Sequence, residues 1–165
     1  MDRRWEIISE LTKGMEETVV FFQSLTPEQL NTRIYQEGAR WTVKQVMAHF
    51  ITIEGSMHRL FKDILAGGPG SPKDFDVDRF NLRQTQKLEG QDLPTLIRQF
   101  KAVRLQTIAI VEQMSEKDLR RKGRHAFHGK GRLERFIRWA WEHARIHEDE
   151  IRNFFGLGKG DHAKL

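Results

Sequence analysis

The chain has 165 residues, no cysteine and a formal net charge of +5. This length allows one domain with a sizeable core, which we expect to span residues 1–156. The absence of cysteine excludes disulfide scaffolds, cysteine-ligated metal sites and a thiol nucleophile supplied by the protein. No apolar run approaches the ~20 residues that cross a bilayer. Because the N-terminus enters a helical pattern without the features of a signal peptide, we expect a cytoplasmic protein with no membrane partner.

The first predicted element is a long amphipathic helix over residues 2–25. Its apolar side chains recur at spacings of three and four residues. They are Trp5, Ile8, Leu11, Met15, Val19 and Phe22. Next, Thr26 precedes Pro27, and a capping residue followed by proline predicts a short helical turn.

The second long helix is predicted to begin after Thr42 and to end near Ala66. Thr42 with Gln45 three residues later forms a capping box, and an apolar stripe follows it. A run of glycine and proline over residues 67–72 ends the helix. The connection then extends to Asp92, with a short helix expected from Asp78.

The third long helix opens at Asp92 and Pro94, and a basic loop follows over residues 115–130. The inward positions predicted for this helix are Leu96, Phe100, Val103, Thr107, Ile110 and Met114. The fourth long helix is predicted over residues 131–155. Residues 157–165 form a glycine-containing tail that we expect to be mobile.

Four long helices, with no convincing strand and no internal repeat, predict an all-α four-helix bundle. The connection between the second and third helices is too long for a tight hairpin. It favours a crossover that leaves these two helices parallel. The predicted topology is therefore up-down-down-up.

Three histidines are the candidate metal ligands. His143 and His147 lie four residues apart on the apolar side of the fourth helix, and His49 lies at the edge of the apolar face of the second. Three neutral imidazoles from two neighbouring helices can hold one divalent ion and leave positions open for water or substrate. Such an ion lowers the pKa of water or of a thiol that binds to it.

A purely structural role for these histidines stays open. A single inward histidine is more often a hydrogen-bonded core residue than a ligand. The zinc-protease pattern H-E-x-x-H is absent, because Ala144 stands where the glutamate would be. The chain also lacks E-x-x-H, which argues against a di-iron carboxylate site.

The sequence resembles the DinB-like and YfiT-like superfamily of four-helix bundles over nearly its whole length. The similar segments are 25–30, 41–50, 75–81 and 129–131, with His143-x-x-x-His147 followed by Ile151. The resemblance implies that His49, His143 and His147 bind one divalent ion, either nickel, zinc or iron. It also implies either transfer or isomerisation that uses a low-molecular-weight thiol as cosubstrate, or metal-dependent hydrolysis. Dimers are common in the family, which implies a homodimer.

Positive charge is concentrated between residues 120 and 138. This segment contains eight lysines and arginines but only one acidic residue, Glu134. If this segment borders the site, it would suit an anionic small-molecule substrate. Arg124, Arg132 and His128 are then candidates to orient that anionic group at the rim. We expect His58 to be at the surface and His125 to be at most a rim residue.

Two non-enzymatic hypotheses remain. The basic segment could dock on nucleic acid or an acidic protein, but it carries few interleaved aromatic residues and no nucleic-acid motif, so we do not expect nucleic acid as a partner. The bundle could instead be a dimeric scaffold without chemistry, with Trp139 and Trp141 in the interface. Tyr35, Glu54 and Thr107 are candidates to orient the imidazoles.

Overall fold

The computed structural model of the protein describes residues 2–158. The elements within these residues are α1 (Arg3–Ser24), α2 (Pro27–Asn31), α3 (Val43–Leu65), α4 (Val77–Gln86), α5 (Leu93–Glu112), α6 (Glu116–Leu119), β1 (Lys122–His125), β2 (Gly129–Arg132) and α7 (Leu133–Phe155). The four long helices α1, α3, α5 and α7 form the predicted four-helix bundle. None of the helices described is long and apolar enough to cross a membrane.

The predicted capping residues set the helix starts. The Thr42 hydroxyl accepts the backbone N–H of Gln45, and the Gln45 side chain accepts the N–H of Thr42. Asp92 caps α5 by accepting the N–H of Thr95. Such caps satisfy backbone donors that the first helical turn leaves without partners. Thr42 therefore fixes the position of His49 along α3.

Two apolar clusters show the direction of each helix. One cluster joins the end of α1 and the end of α7 to the starts of α3 and α5. Its members include Phe22, Ile151, Phe50 and Phe100. The other cluster joins the opposite ends of the same helices. Its members include Ile7, Phe136, Phe61 and Val111. The helices α3 and α5 are therefore parallel to each other and antiparallel to α1 and α7, which confirms the up-down-down-up topology.

Arg104 lies between the two clusters and connects all four long helices. Its side chain is 1% exposed, and its Nε donates to Glu54 Oε1 on α3 at 2.7 Å. Its Nη1 and Nη2 donate to the carbonyl oxygens of Leu11 on α1 and Ala140 on α7, each at 3.1 Å. A buried charge is tolerated only when it is paired and hydrogen-bonded, and Arg104 meets both conditions.

The buried face of α5 differs from the sequence prediction. Arg104, Ile108 and Val111 are buried, whereas Val103 and Ile110 are only half-buried. A charged residue at an inward position interrupted the apolar pattern and displaced the predicted face. The predicted positions Leu96, Phe100, Thr107 and Met114 are buried.

The crossover between α3 and α5 contains the predicted short helix. This helix is α4, capped by Asp76, whose carboxylate accepts the N–H of Arg79 at 2.9 Å. It packs against α3. The crossover therefore adds a second layer over α3, on the bundle's outer side.

The basic loop is where the prediction of no strand was wrong. It contains α6 and most of an antiparallel hairpin, which ends at Arg132 and in which Lys122 pairs with Arg132 and His125 with Gly129. Each strand has only four residues, mostly charged or glycine, so no alternation of apolar and polar residues marked it. Because β2 occupies residues 129–132, α7 begins at Leu133 rather than at residue 131.

The hairpin is attached to the crossover through backbone contacts. Arg124 donates its N–H to Pro69 O at 2.9 Å and accepts the N–H of Ser71 at 2.7 Å. Gly70, at φ +87°, allows this approach, because a Cβ there would collide with the Arg124 backbone.

Beyond α7, Gly156 ends the helix in a left-handed conformation and Leu157 packs against the core. Residues 159–165 of the predicted tail lie outside the described residues.

Candidate metal centre

The three predicted ligands lie together between α3 and α7. His49 projects from α3, and His143 and His147 project from successive turns of α7. The Nε2 atom of His143 lies 3.2 Å from Nε2 of His49 and 3.1 Å from Nε2 of His147. The ligand atoms of all three lie within 4.8 Å of one another, and no other group of three or more such side chains occurs in the described part of the chain.

Two of the three separations match those expected around a single ion, whereas the separation between the His49 and His147 ligand atoms is known to be within 4.8 Å. Bonds from imidazole nitrogen to metal of about 2.0–2.1 Å place two ligand nitrogens about 2.9–3.4 Å apart for angles between octahedral and tetrahedral. Both short separations fall within this range. An all-imidazole ligand set suits zinc, nickel and iron better than calcium or magnesium, which prefer oxygen.

The environment of His49 and His143 keeps these two imidazoles neutral. Burial lowers the pKa of His49 to about 3, and the neighbouring His147 lowers it in the same direction. Burial, followed by the proximity of His49 and His147, lowers the pKa of His143 well below its ordinary value. Neutral imidazoles carry the lone pairs that a metal requires.

Tyr35 and Glu150 hold the outer side of the His147 ring. Tyr35 Oη lies 2.6 Å from His147 Nδ1 and donates to Glu150 Oε2 at 2.6 Å. The same carboxylate oxygen lies 3.2 Å from His147 Nδ1. Because both partners can accept from Nδ1, they favour a proton on that atom and leave the Nε2 lone pair facing the other histidines. Burial and Glu150 raise the pKa of Tyr35, so its hydroxyl keeps its proton.

The other two rings are held by aromatic packing. The Trp41 ring lies 4.4 Å from that of His49, between centroids, and the Trp139 ring lies 5.2 Å from that of His143. Phe50 contacts His143 and lies 5.8 Å from His147. His49 Nδ1 is buried and has no hydrogen-bond partner within residues 2–158. Packing therefore fixes His49, and its Nε2 remains the atom able to bind an ion.

A cavity of about 890 Å³ lies beside the three histidines, and all three line it. Its walls come from α3, the crossover with α4, the hairpin turn and α7. An ion held by three imidazoles would thus have its open side next to space for a small molecule.

The three rim candidates do not line this cavity. His128 packs edge-on against Trp139, with ring centroids 4.4 Å apart. Arg132 pairs with Glu134 at 3.6 Å. The paired cations of the basic segment are Arg120 with Glu116, Arg121 with Asp118, Arg132 with Glu134, and Arg138 with Glu6, Glu10 and Glu134. Intramolecular acids thus offset part of the segment's charge.

His125, expected to be at most a rim residue, is buried and lines the cavity. Its Nδ1 accepts the backbone N–H groups of Phe127 at 3.0 Å and His128 at 3.2 Å. Burial is the largest cause that lowers the pKa of His125 to about 4. The ring is therefore a neutral part of the cavity wall.

His58 is not at the surface as expected. It is half-buried, and its Nε2 lies 2.8 Å from Thr107 Oγ1. Thr107 in turn donates to Glu54 Oε1 at 2.6 Å. Glu54 and Thr107 thus belong to the Arg104 network, and of the three candidates to orient the imidazoles only Tyr35 contacts a histidine of the cluster.

Glu150 was missed by the sequence analysis, although a signal for it existed. It follows His147 by three residues on one helix, and side chains at that spacing are neighbours.

Comparisons with known proteins give the family and the fold of the chain. The family model of the DinB superfamily matches residues 10–151. A solved structure, YfiT from Bacillus subtilis, superposes with a TM-score of 0.72 at 17% sequence identity and covers 94% of this chain and 89% of its own. It is described as a probable metal-dependent hydrolase with an unusual four-helix bundle topology. No curated protein matches the chain. Because the family model matches 142 consecutive residues, the chain belongs to the DinB superfamily.

Proposed function

We propose that the protein is a divalent-metal-dependent hydrolase of a small electrophilic molecule, with His49, His143 and His147 holding one ion of zinc, nickel or iron. The observation that carries this proposal is the convergence of three Nε2 atoms, with two separations of 3.1 and 3.2 Å, in the wall of a cavity. An open three-imidazole site is typical of catalytic rather than structural metals.

When bound, the ion would act as a Lewis acid and lower the pKa of a coordinated water. The protein's own side chains have supporting roles. Tyr35 and Glu150 hold the Nδ1 proton of His147 and so aim its Nε2 at the centre. Trp41 packs against the ring of His49 and Phe50 against the ring of His147, which holds both rings in place.

Two observations favour water over a low-molecular-weight thiol as the nucleophile. The description of YfiT names a hydrolase. The rim cations Arg124 and Arg132, which would suit the anionic groups of such a thiol, do not line the cavity. Thiol-dependent transfer is the alternative that an activity assay separates from hydrolysis.

The first test is the metal content of protein purified without an affinity tag, measured by mass spectrometry. We expect one divalent ion per chain. The double variant His143→Ala/His147→Ala should lose the ion and keep its helical circular dichroism, because the apolar clusters stabilise the helices. His58→Gln, which can keep a hydrogen bond to Thr107, is the matched control and should retain the ion. Equal zinc or nickel affinity in the double variant would overturn the ligand assignment.

The second test uses a panel of aryl esters and lactones, assayed with and without glutathione. Hydrolysis that needs the ion but no thiol is expected. Turnover that requires the thiol would replace hydrolysis by S-transfer while leaving the metal site in place.

A further inference from the structure

We propose that the cavity binds an aromatic small molecule. One group of this molecule faces the three histidines, and the rest of the molecule carries no negative charge. This inference rests on the proposed hydrolase and names the class of its substrate. It differs from the anionic substrate expected from the basic segment.

Two pairs of aromatic rings line the cavity. Phe75 and Phe80, from the crossover, have ring centroids 5.4 Å apart. Phe127, from the hairpin turn, stacks on Trp139 of α7, with centroids 5.2 Å apart and planes 11° from parallel. Rings on separate segments of one cavity provide flat surfaces on which another ring can stack.

Three large apolar side chains at the cavity are exposed to solvent in the free protein. Phe75 is 41% exposed, Ile146 is 47% exposed and Phe127 is 67% exposed. Clustered exposed apolar side chains mark a binding surface, because a ligand that covers them removes apolar area from water. The aromatic surface therefore extends from the interior of the cavity to solvent.

The aromatic surface is continuous with the candidate metal centre. Trp139, which stacks on Phe127, also lies 5.2 Å from His143, between ring centroids. A ring seated beside Trp139 would place its substituents near the histidines. The cavity volume of about 890 Å³ is near the upper end of the range for small-molecule sites, so the cavity has room for such a molecule.

The charged side chains of the cavity wall disfavour an anionic ligand. They are Arg59, Asp63, Asp78 and Glu150, three acids and one base. The ion itself would attract one anionic group at the centre. A second anionic group farther along the cavity would be repelled by Asp63 and Asp78.

The experiment measures dissociation constants by titration calorimetry for zinc-loaded protein and three hydroxamic acids, which share one metal-binding group. Benzohydroxamic acid should bind at least about tenfold more tightly than acetohydroxamic acid, because its ring buries more apolar area. 4-Carboxybenzohydroxamic acid should bind at least about threefold more weakly than benzohydroxamic acid.

Substitutions locate the preference within the cavity. The preference is the dissociation constant of acetohydroxamic acid divided by that of benzohydroxamic acid. Phe75→Ala and Phe127→Ala should each reduce this ratio by at least about threefold. Phe154→Ala is the matched control, since Phe154 is 50% exposed and does not line the cavity, and it should leave the ratio unchanged. A ratio near one, tighter binding of the carboxylate, or no hydroxamate binding by zinc-loaded protein would overturn the inference.

A metal-free arm separates this inference from the proposed function. 2-Naphthol should bind the metal-free protein more tightly than 2-naphthoate, and Phe127→Ala should weaken it. If zinc does not bind but this order holds, the hydrolase proposal fails and the substrate class stands. If naphthoate binds equally or more tightly, the substrate class is overturned whatever the metal does.

Discussion

Two regions of the bundle bury polar side chains between helices, and they treat those side chains in opposite ways. At the middle of the bundle, each nitrogen of the Arg104 guanidinium has an acceptor, including Glu54. At the histidine cluster, Nε2 atoms face one another, and His49 Nδ1 has no partner in the described part of the chain. Buried polar groups that satisfy one another hold a fold together, whereas groups aimed at one point beside a cavity are poised for a ligand.

The largest expected effect is the loss of the arginine. Arg104→Met would leave Glu54 buried without its charged partner, so the free energy of unfolding should fall by about 3–5 kcal/mol. Urea denaturation measures it. The double variant Arg104→Met/Glu54→Leu should recover much of the loss, because no unpaired charge remains. A fall below about 1 kcal/mol for the single variant would show that Arg104 does not hold the helices together.

The next effect concerns the outer contacts of the cluster. Tyr35→Phe removes the hydroxyl against His147 Nδ1 and leaves the ring, so zinc affinity should fall about tenfold to a hundredfold. The free energy of unfolding of the metal-free protein should change by about 1 kcal/mol. Titration calorimetry and urea denaturation give the two quantities. An unchanged zinc affinity would mean that Tyr35 does not orient the ligand.

The smallest effect concerns His125, which lies in the cavity wall but has a satisfied Nδ1. Because its folded-state pKa of about 4 lies below the ordinary value of 6.5, the unfolded chain binds a proton between these pH values that the folded chain does not. Its contribution to stability is therefore present above about pH 6.5 and is lost as the pH falls toward 4.

Between pH 7 and pH 5, the free energy of unfolding of the metal-free protein should fall by about 1–2 kcal/mol more than that of His125→Gln. Denaturation at the two pH values measures the difference. Parallel pH dependences of the two proteins would show that the histidine is not buried in its neutral form.

The sequence predicted the helices, and it predicted that three histidines face the bundle interior, because both depend on helical periodicity. The capping residues predicted where the helices begin. The length of the connection between the second and third long helices gave the topology. The features that were missed depend on contacts between distant segments. Arg104 interrupts an apolar stripe and is buried only because Leu11, Glu54 and Ala140 accept its hydrogen bonds.

The hairpin and the cavity could not be predicted for a related reason. The strands β1 and β2 lack an apolar face. Hydrogen bonds between the backbone of Arg124 and the backbone of Pro69 and Ser71 position them. The cavity lies where α3, the crossover, the hairpin turn and α7 meet. No local sequence pattern shows which distant segments come into contact. Residue spacing therefore could not predict the aromatic pairs or the burial of His125 in the cavity wall.

The backbone junction of Gly70 with Arg124 has a consequence for protein engineering. It joins the segment that bears Phe75 to the segment that bears Phe127, so a change of length in either one displaces both. A chimaera with another member of the superfamily must therefore exchange residues 67–92 and 122–132 together. The helices that carry the histidines can then stay untouched while the crossover and hairpin walls of the cavity, with Phe75 and Phe127, are replaced as one unit.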